Sequence, residues 1–250
     1  MQSCHEHDED SNKGIRAENV ANWYFRLNGF LSIPSYIIHL DLNEAVRVKK
    51  NTSRVAKTEA DLMGVRFSGS YEKIDNRGKL PDDESILGIK DFPETVLALF
   101  ILVEVKAGKC MMNGPWSNQN EKNMERVIRR LGFANNEEEV QAIADKIYKT
   151  GKWQNEKFVF QYICVGGTIN SDLYQKFPDL IQIGWGDIGA FFFNRFEKAI
   201  DEKLPGGKIH EQWPDFGRKY GMWFIKERNK SKEKSIKSVI NYIEKGMVVP

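Results

Sequence analysis

The feature of this sequence that most constrains its fold is a continuous apolar run from Val96 to Val105, interrupted only by Glu104. Residues 68–94 before it are rich in Gly, Asp, Lys and Pro, which is typical of a long connection between elements. A short apolar run with such a flank predicts a strand that is buried on both faces. We therefore expect the chain to build a covered sheet around residues 96–105.

Apolar periodicity and capping residues predict elements on both sides of this strand. Helices are predicted to begin near Ile15, Ser117, Asn136, residue 187 and Ser235, and further strands are predicted over 30–39, 58–67, 158–165 and 180–183. The order helix, three strands, helices, strand indicates the α/β class. We expect residues 1–14 to form a disordered acidic tail, 15–204 a folded domain, and 205–250 an extension with a basic segment and a helix.

Composition and cysteine content predict a globular protein of a reducing compartment. The 250 residues are 41% hydrophobic and 29% charged, which is enough to bury a full core. Cys4, Cys110 and Cys164 are odd in number and widely separated, so a disulfide framework is not expected. The longest apolar run is too short to cross a bilayer, and the N-terminus is acidic where a signal peptide would be basic. We therefore expect a cytoplasmic protein with no membrane partner.

Two charged residues, Glu104 and Lys106, lie at the end of the buried strand. Because side chains alternate along a strand, these two point to one face and Val105 to the other. Burying such charges costs several kcal/mol per ion unless they are paired or bind a ligand. From these residues alone, a plain ion pair at a strand end is the more common explanation.

A second predicted strand, 58–67, carries Asp61 and shifts this balance towards a functional site. Two carboxylates on neighbouring strands repel each other unless a cation lies between them, and oxygen ligands with room for water suit Mg²⁺ or Mn²⁺. A lysine beside them can orient or help deprotonate an attacking water and offset the charge of a phosphate. Asp61, Glu104 and Lys106 therefore predict a metal centre that cleaves phosphodiester bonds.

These residues together resemble the motif of the PD-(D/E)xK nuclease superfamily, which is also called restriction-endonuclease-like. The matching elements are Glu18 on a first helix, Glu59-Ala-Asp61 on one strand and Glu104-Val-Lys106 on the next, and the resemblance covers about residues 15–170. It implies an αβββαβ core with a mixed central sheet flanked by helices. The chain has no Pro-Asp pair before the strand, which weakens an assignment to restriction enzymes in particular.

The resemblance also implies a role for each residue of the motif. Asp61 and Glu104 resemble metal-ligating carboxylates, Val105 would lend its backbone carbonyl, and Lys106 resembles the lysine that positions or activates water. Glu18 resembles a helical glutamate that contacts the metal, often through water, although a charge that complements the helix dipole explains it equally well. Glu59 is either a second ligand or a solvent-facing residue at the end of the strand.

Basic and polar residues near the predicted site suggest contacts with DNA. Residues 226–237 carry five lysines and Arg228 against two glutamates, so the segment is either a track for a phosphate backbone or a solvated linker. Lys109 and Gln119 follow the catalytic strand and border the expected site, where Trp116 could stack on a base or cover the core. The predicted DNA-binding residues are Lys57, Lys109, Gln119, Lys230, Lys232 and Lys234, with Lys49, Lys50 and Arg54 as further cations near Asp61.

A glycine pattern from Gly184 to Gly189 spells the dinucleotide-binding fingerprint. Asp187 would lie where an anionic pyrophosphate should dock, and no strand with a ribose-binding acid follows, so no nucleotide cofactor is expected. The aromatic helix after it carries Phe191, Phe192, Phe193 and Phe196, which are most simply core or subunit contacts.

The sequence thus predicts a Mg²⁺- or Mn²⁺-dependent DNA endonuclease with a restriction, defence or repair role. The alternative is a non-catalytic nucleic-acid-binding or assembly protein that keeps the fold and uses residues 187–225 as a partner surface. RNA as substrate stays open because no base-reading module is visible. A homodimer is compatible with cutting both strands of a two-fold symmetric target.

Overall fold

The computed structural model describes residues 3–39, 56–74, 78–89, 93–203, 209 and 213–248. The helices in these ranges are α1 (Ser3–Leu27), α2 (Gly114–Ser117), α3 (Asn123–Leu131), α4 (Glu137–Thr150), α5 (Ser171–Lys176), α6 (Trp185–Lys203), α7 (Asp215–Lys226) and α8 (Lys232–Lys245). The strands are β1 (Leu31–His39), β2 (Ala56–Phe67), β3 (Lys73–Ile74), β4 (Gly78–Lys79), β5 (Ala98–Val105), β6 (Lys152–Gln154), β7 (Phe158–Gly166) and β8 (Ile181–Gly184).

The central sheet is mixed, and helices cover both of its faces. Its order is β1-β2-β5-β7-β6, and β8 also pairs with β7. β1 and β2 pair antiparallel, as do β2 and β5, whereas β5, β7 and β8 run parallel. The predicted α/β class is therefore confirmed, with a sheet that combines an antiparallel half and a parallel half.

Two hydrophobic clusters fill the space on either side of the sheet. On one face, Ile101 and Val103 of β5 pack in the cluster that contains α1, α6, α7 and α8. On the other face, Leu102 packs with Trp116 and with the apolar residues of α3 and α4. The apolar run is thus buried on both faces, as its composition predicts.

Several helix boundaries differ from those expected. α1 begins at Ser3 rather than near Ile15. The residues before Ile15 have no apolar stripe, so apolar periodicity does not predict a helix there. Their acidic side chains are nevertheless favourable near a helix N-terminus. The helix expected to begin at Ser117 begins only at Asn123, as α3. It is preceded by α2, which ends at Ser117, and by a 3₁₀ turn at Gln119–Glu121. Lys122, the residue before α3, has a left-handed backbone conformation. Gly132 and Asn136 cap α3 and α4 as predicted.

Helix α7 was not expected, because Gly217 and Gly221 and a run of aromatic residues hide its periodicity. A Cβ atom on Gly217 would lie 3.0 Å from the Trp23 ring, so the glycine permits α7 to approach α1 closely. Phe216 and Tyr220 are buried in the same core cluster as Phe192. The aromatic side chains described between residues 187 and 225 are therefore largely interior, whereas Met222 and Ile225 are 46% and 39% exposed, so the use of this region as a partner surface stays a prediction.

The C-terminal helices complete the core of the domain. α8 begins at Lys232, where the Ser231 side chain accepts a hydrogen bond from the Lys234 amide, and its Val239 and Tyr242 are buried with α1. A Cβ atom on Gly189 would lie 2.7 Å from the Ile236 Cα atom, so α6 and α8 cross at close range. The basic segment, residues 226–237, is therefore the last residue of α7, an ordered turn at 227–231 and the start of α8, rather than a linker. None of the helices in the described ranges has both the length and the apolar character needed to cross a bilayer.

Candidate metal centre

The centre of the site is a gap between β2 and β5 at Asp61. Regular pairing of the two strands ends at Leu62 and Val103, so the next register position would join Asp61 to Glu104. The Asp61 Oδ2 atom instead accepts a hydrogen bond of 2.7 Å from the Val105 amide. The side chain thus replaces a ladder bond and is directed at the end of β5.

Irregular backbone in β2 and in the edge strand β1 accompanies this gap. Ala60 and Met63 are three residues apart in β2, yet both pack in the cluster with Leu102, which regular alternation would not allow. Ser35 in β1 lies opposite Asp61 between two regular pairs and has a left-handed φ of 52°. A non-glycine residue rarely adopts this conformation, and such backbone is concentrated at functional sites.

Glu104 and Lys106 lie on the other side of the gap. The Lys106 Nζ atom is 2.5 Å from Glu104 Oε1 and 4.0 Å from Asp61 Oδ2, so one ammonium faces both carboxylates. The Glu104 side chain is fully buried, whereas the Lys106 side chain is 29% exposed. The structure therefore brings the three predicted residues together at the end of β5.

The two carboxylates are incompletely compensated by this lysine. Glu104 Oε2 is buried and receives no hydrogen bond from an N–H or hydroxyl group in the described part of the chain. The Glu104 and Asp61 carboxyl groups lie within hydrogen-bonding reach of each other, so a shared proton would join them. Burial, followed by the charge of Asp61, raises the pKa of Glu104 to about 7, against the opposing effect of Lys106. Burial also raises the pKa of Asp61, although the Val105 amide and Lys106 oppose it. The pair therefore favours binding a proton or a cation.

Glu18 of α1 faces the same cluster. Burial raises its pKa to about 7, the charges of Asp61 and Glu59 add to this, and Lys106 opposes it. Since α1 begins at Ser3, Glu18 lies deep within the helix, and the expectation that it complements the N-terminal dipole is wrong. Glu59 is exposed, and its backbone carbonyl accepts a hydrogen bond from Trp116 Nε1.

The residues present fit a divalent cation that keeps several waters. Within residues 3–39, 56–74, 78–89, 93–203 and 213–248, no three His, Cys, Asp or Glu side chains are placed to hold a metal unaided. Mg²⁺ is commonly bound through one or two carboxylates with water completing its shell. Asp61, Glu104 and the Val105 carbonyl would supply such a partial set, and the buried Oε2 atom of Glu104, which no N–H or hydroxyl group of the described residues reaches, is the observation that supports it.

The polar residues after β5 differ in burial and in their hydrogen-bond partners. Trp116 is fully buried beneath β2 and belongs to the core, so it cannot stack on a base. Gln119 donates a hydrogen bond to Asp145 of α4, which commits its amide to a carboxylate rather than leaving it for a phosphate. Lys109 is exposed three residues beyond Lys106 and forms a backbone bridge with Thr168.

The basic turn, by which we mean residues 226–237 including the last residue of α7 and the start of α8, is connected to the candidate metal centre through α6. Trp185 Nε1 at the start of α6 donates to the Ala107 carbonyl, the residue after Lys106. One turn later, the Gly189 carbonyl accepts a hydrogen bond of 2.6 Å from Ser235 of α8. The basic turn and the end of β5 are thus both hydrogen-bonded to α6.

The predicted DNA-binding lysines differ in how free they are. Lys234 forms a 2.9 Å ion pair with Glu227, and the Lys230 ammonium lies 5.2 Å from the centre of the Phe224 ring. Lys232 is exposed. The Lys57 side chain and residues Lys49, Lys50 and Arg54 lie outside the described part of the chain.

The glycine fingerprint has a packing role. Asp187 accepts a hydrogen bond of 2.9 Å from the Gly184 amide at the junction of β8 and α6. Gly189 permits the close crossing with α8. Both residues are therefore explained by the fold.

One residue beside the site was missed in the sequence. Tyr162 of β7 is fully buried, and its hydroxyl has no hydrogen-bond partner among the described residues. Burial and the nearby charge of Glu104 raise its pKa well above the usual range. A tyrosine next to Gln161 in the largely apolar strand 158–165 was the available signal, because a buried hydroxyl needs a partner.

Comparison with protein-family models, with curated proteins and with solved structures found no match for this chain.

Proposed function

We propose that this protein is a Mg²⁺- or Mn²⁺-dependent nuclease of restriction-endonuclease-like type that hydrolyses phosphodiester bonds in DNA. The observation that carries the proposal is the close pair of carboxyl groups of Asp61 and Glu104 beside Lys106, in which no N–H or hydroxyl group of the described residues reaches the buried Oε2 atom of Glu104. A purely structural ion pair would leave neither an excess carboxylate nor a gap in the sheet. A cation site for phosphate chemistry explains both.

The roles follow from the geometry of the side chains. Asp61 and Glu104, with the Val105 carbonyl, would hold the cation, and Glu18 and Glu59 would add negative charge around its waters. Lys106 reaches both carboxylates with one partly exposed ammonium, so it can orient a water and offset phosphate charge. The chemistry that the bound cation would supply is activation of water and stabilisation of charge on the phosphate oxygens.

DNA is the proposed partner because the basic turn is ordered and fixed to the helix that begins beside Lys106. Its exposed cations are Lys226, Arg228, Lys230, Lys232 and Lys237. Restriction, defence and repair roles, a homodimer, RNA as substrate and a cytoplasmic location stay open predictions. The non-catalytic alternative also stays an open prediction: the aromatic residues of α6 and α7 are largely interior, and Met222 and Ile225 of α7 are exposed.

The direct test is cleavage of supercoiled plasmid, linear duplex, branched and single-stranded DNA, with Mg²⁺, Mn²⁺ or a chelator. Asp61→Asn should reduce the cleavage rate by at least about 1,000-fold, because it removes a ligand while keeping an acceptor for the Val105 amide. Asp179→Asn, an exposed aspartate, is the matched control and should cleave normally. Metal-independent cleavage, or full activity of Asp61→Asn, would refute the proposal.

The basic turn needs a separate test, because removing residues 226–250 would also remove buried Val239 and Tyr242. Lys230→Glu with Lys232→Glu should weaken DNA binding and reduce the salt dependence of log Kd by about 1 per lysine. Binding is measured in the Asp61→Asn background to prevent cleavage. Lys146→Glu with Lys149→Glu, on exposed positions of α4, is the control. An unchanged salt slope would exclude the turn from the DNA path.

A further inference from the structure

The parallel half of the sheet directs three strand ends to one edge. β5, β7 and β8 run parallel, so their carboxyl ends lie on the side of Lys106. Ligands of open α/β sheets bind beyond this edge. The loops after β5 and β7 meet there, since Cys110 N donates to the Thr168 carbonyl at 2.9 Å and Asn170 Nδ2 donates to the Cys110 carbonyl at 3.2 Å.

Close backbone packing makes these loops a fixed surface. A Cβ atom on Gly166 would lie 2.8 Å from Cys110 N, so only glycine allows the two loops to touch at this point. Asn170 receives a second tie because its amide donates to Gln182 Oε1, and its side chain caps α5. The Cys164 thiol donates to the Met111 carbonyl, and Cys164 is the register partner of Glu104. The surface is thus connected to the metal centre.

Large apolar side chains are exposed on this fixed surface. Met111 is 52% exposed, Ile169 is 42% exposed and Tyr174 is 45% exposed. Lys109 lies beside Ile169 through its bridge to Thr168. We call these four residues the carboxyl-end platform. All four residues lie on the loops and the short helix at the carboxyl ends of the parallel strands, and exposed apolar side chains at such an edge are typical of a ligand surface.

We propose that the carboxyl-end platform binds unpaired nucleobases next to the scissile phosphodiester, which rests on the proposed nuclease function. Tyr174 offers an aromatic ring for stacking, Met111 and Ile169 offer apolar contact, and Lys109 offers a cation for the adjoining phosphate. Asp172 on the same short helix as Tyr174 repels phosphate, which favours a base at Tyr174 and the backbone at Lys109.

This assignment names the substrate class. Bases in a continuous duplex are stacked and paired, so they present no free face to a tyrosine ring unless they are extruded. Single strands, flaps and branched DNA carry unpaired bases beside a phosphodiester bond. The platform therefore selects DNA with unpaired nucleotides at the cleavage site over continuous duplex.

The test compares wild type, Tyr174→Ala and Tyr174→Phe on flap or single-stranded DNA and on continuous duplex. Tyr174→Ala should lower kcat/KM on unpaired substrates by about 5- to 100-fold, mainly through KM, because one base loses its stacking partner. Tyr174→Phe keeps the ring and should retain activity. Tyr71→Ala, a 53% exposed tyrosine near the opposite end of β5, is the matched control and should have no effect.

A binding readout separates the two proposals. DNA with 2-aminopurine at the unpaired position should show quenched fluorescence with wild type and Tyr174→Phe, and less quenching with Tyr174→Ala and with Ile169→Ser. Normal cleavage and quenching by Tyr174→Ala would overturn the platform and leave the nuclease intact. An equal loss on duplex and unpaired DNA would also overturn it. Absence of cleavage by the wild type would refute the nuclease, and absence of quenching as well would refute the platform.

Discussion

The protein contains two clusters of charged residues, an arginine network and the candidate metal centre, which differ in how their charges are compensated. The arginine network joins Arg66 to Asp82 at 2.8 Å, and Arg195 to Asp82 at 3.1 Å and to Glu72 at 2.6 Å. Among the described residues, these ion pairs join two guanidinium groups to two carboxylates. The candidate metal centre places Asp61, Glu104, Glu18 and Glu59 around one described cation, Lys106.

The difference between the clusters lies in charge balance. Arg66 also donates to the Asn28 and Ser70 carbonyls, so the network ties the segment before β5 to the end of α1. Arg195 Nε has no partner among the described residues, so even this network is not fully satisfied. Balanced buried charges stabilise a chain crossing, whereas an excess of buried carboxylate is costly unless a ligand compensates it. The comparison teaches that an excess of carboxylates over cations makes the cluster at Asp61 and Glu104 the stronger candidate for binding a ligand.

The largest expected effect is in the arginine network. Asp82→Asn should lower the free energy of unfolding by about 3 kcal/mol, because both buried guanidinium groups lose their shared carboxylate. Urea denaturation measures this loss. Glu72→Gln is the control, since Glu72 is 45% exposed and its pair should contribute less than about 1 kcal/mol. Equal effects of the two variants would contradict a central role for Asp82.

The next effect is the pH dependence of the metal centre in a chelator. The folded-state pKa of Glu104 is about 7 and its ordinary value is 4.5, so the folded protein holds more protons than the unfolded chain between these values. Stability should therefore fall as pH rises from 4.5 to 7, by about 3 kcal/mol at most. The quantity to follow is the difference in unfolding free energy between wild type and Glu104→Gln, which cancels the groups that do not interact with Glu104 and reports Glu104 together with its neighbour Asp61. A difference that is flat or rises with pH would show that the carboxylate is already compensated.

The parts of this picture that local sequence determines could be predicted. The run from Val96 to Val105 predicted a strand covered on both faces, and Gly132 and Asn136 predicted helix ends, because each depends on neighbouring residues. Glu104 and Lys106 could be paired on one face by the alternation of a strand. The charged residues on β5 could therefore be assigned to one site from the sequence alone.

The rest depends on contacts between distant residues. Gly217 reads as a helix breaker, and only the Trp23 ring against α7 explains it. The break in alternation at Asp61 needs Ser35 in another strand and the Val105 amide, neither of which leaves a periodic signal. The excess of carboxylate likewise appears only when Glu18 of α1 meets β2. The sequence thus predicted which residues form the candidate metal centre, but not that its carboxylates outnumber the cations around them.

The smallest expected effect is the change in unfolding free energy of Asp61→Asn. It separates the two clusters most clearly, because its sign is opposite to that expected for Asp82→Asn in the arginine network. Asp61→Asn should raise the free energy of unfolding by about 1 kcal/mol in a chelator, since it relieves repulsion with Glu104 and keeps an acceptor for the Val105 amide. Loss of the attraction to Lys106, 4.0 Å away, limits the gain. The same aspartate-to-asparagine change at Asp82 should destabilise the protein.

Added Mg²⁺ should reverse the order of wild type and Asp61→Asn. A ligand that binds the folded state stabilises it by mass action, so wild type should gain stability with Mg²⁺ concentration and the variant should gain little. Thermal unfolding across a Mg²⁺ titration at pH 7.5 measures both. If Asp61→Asn instead lowers stability in the chelator, Lys106 already balances the carboxylates, the two clusters are alike in kind, and the energetic case for a cation at Asp61 and Glu104 is lost.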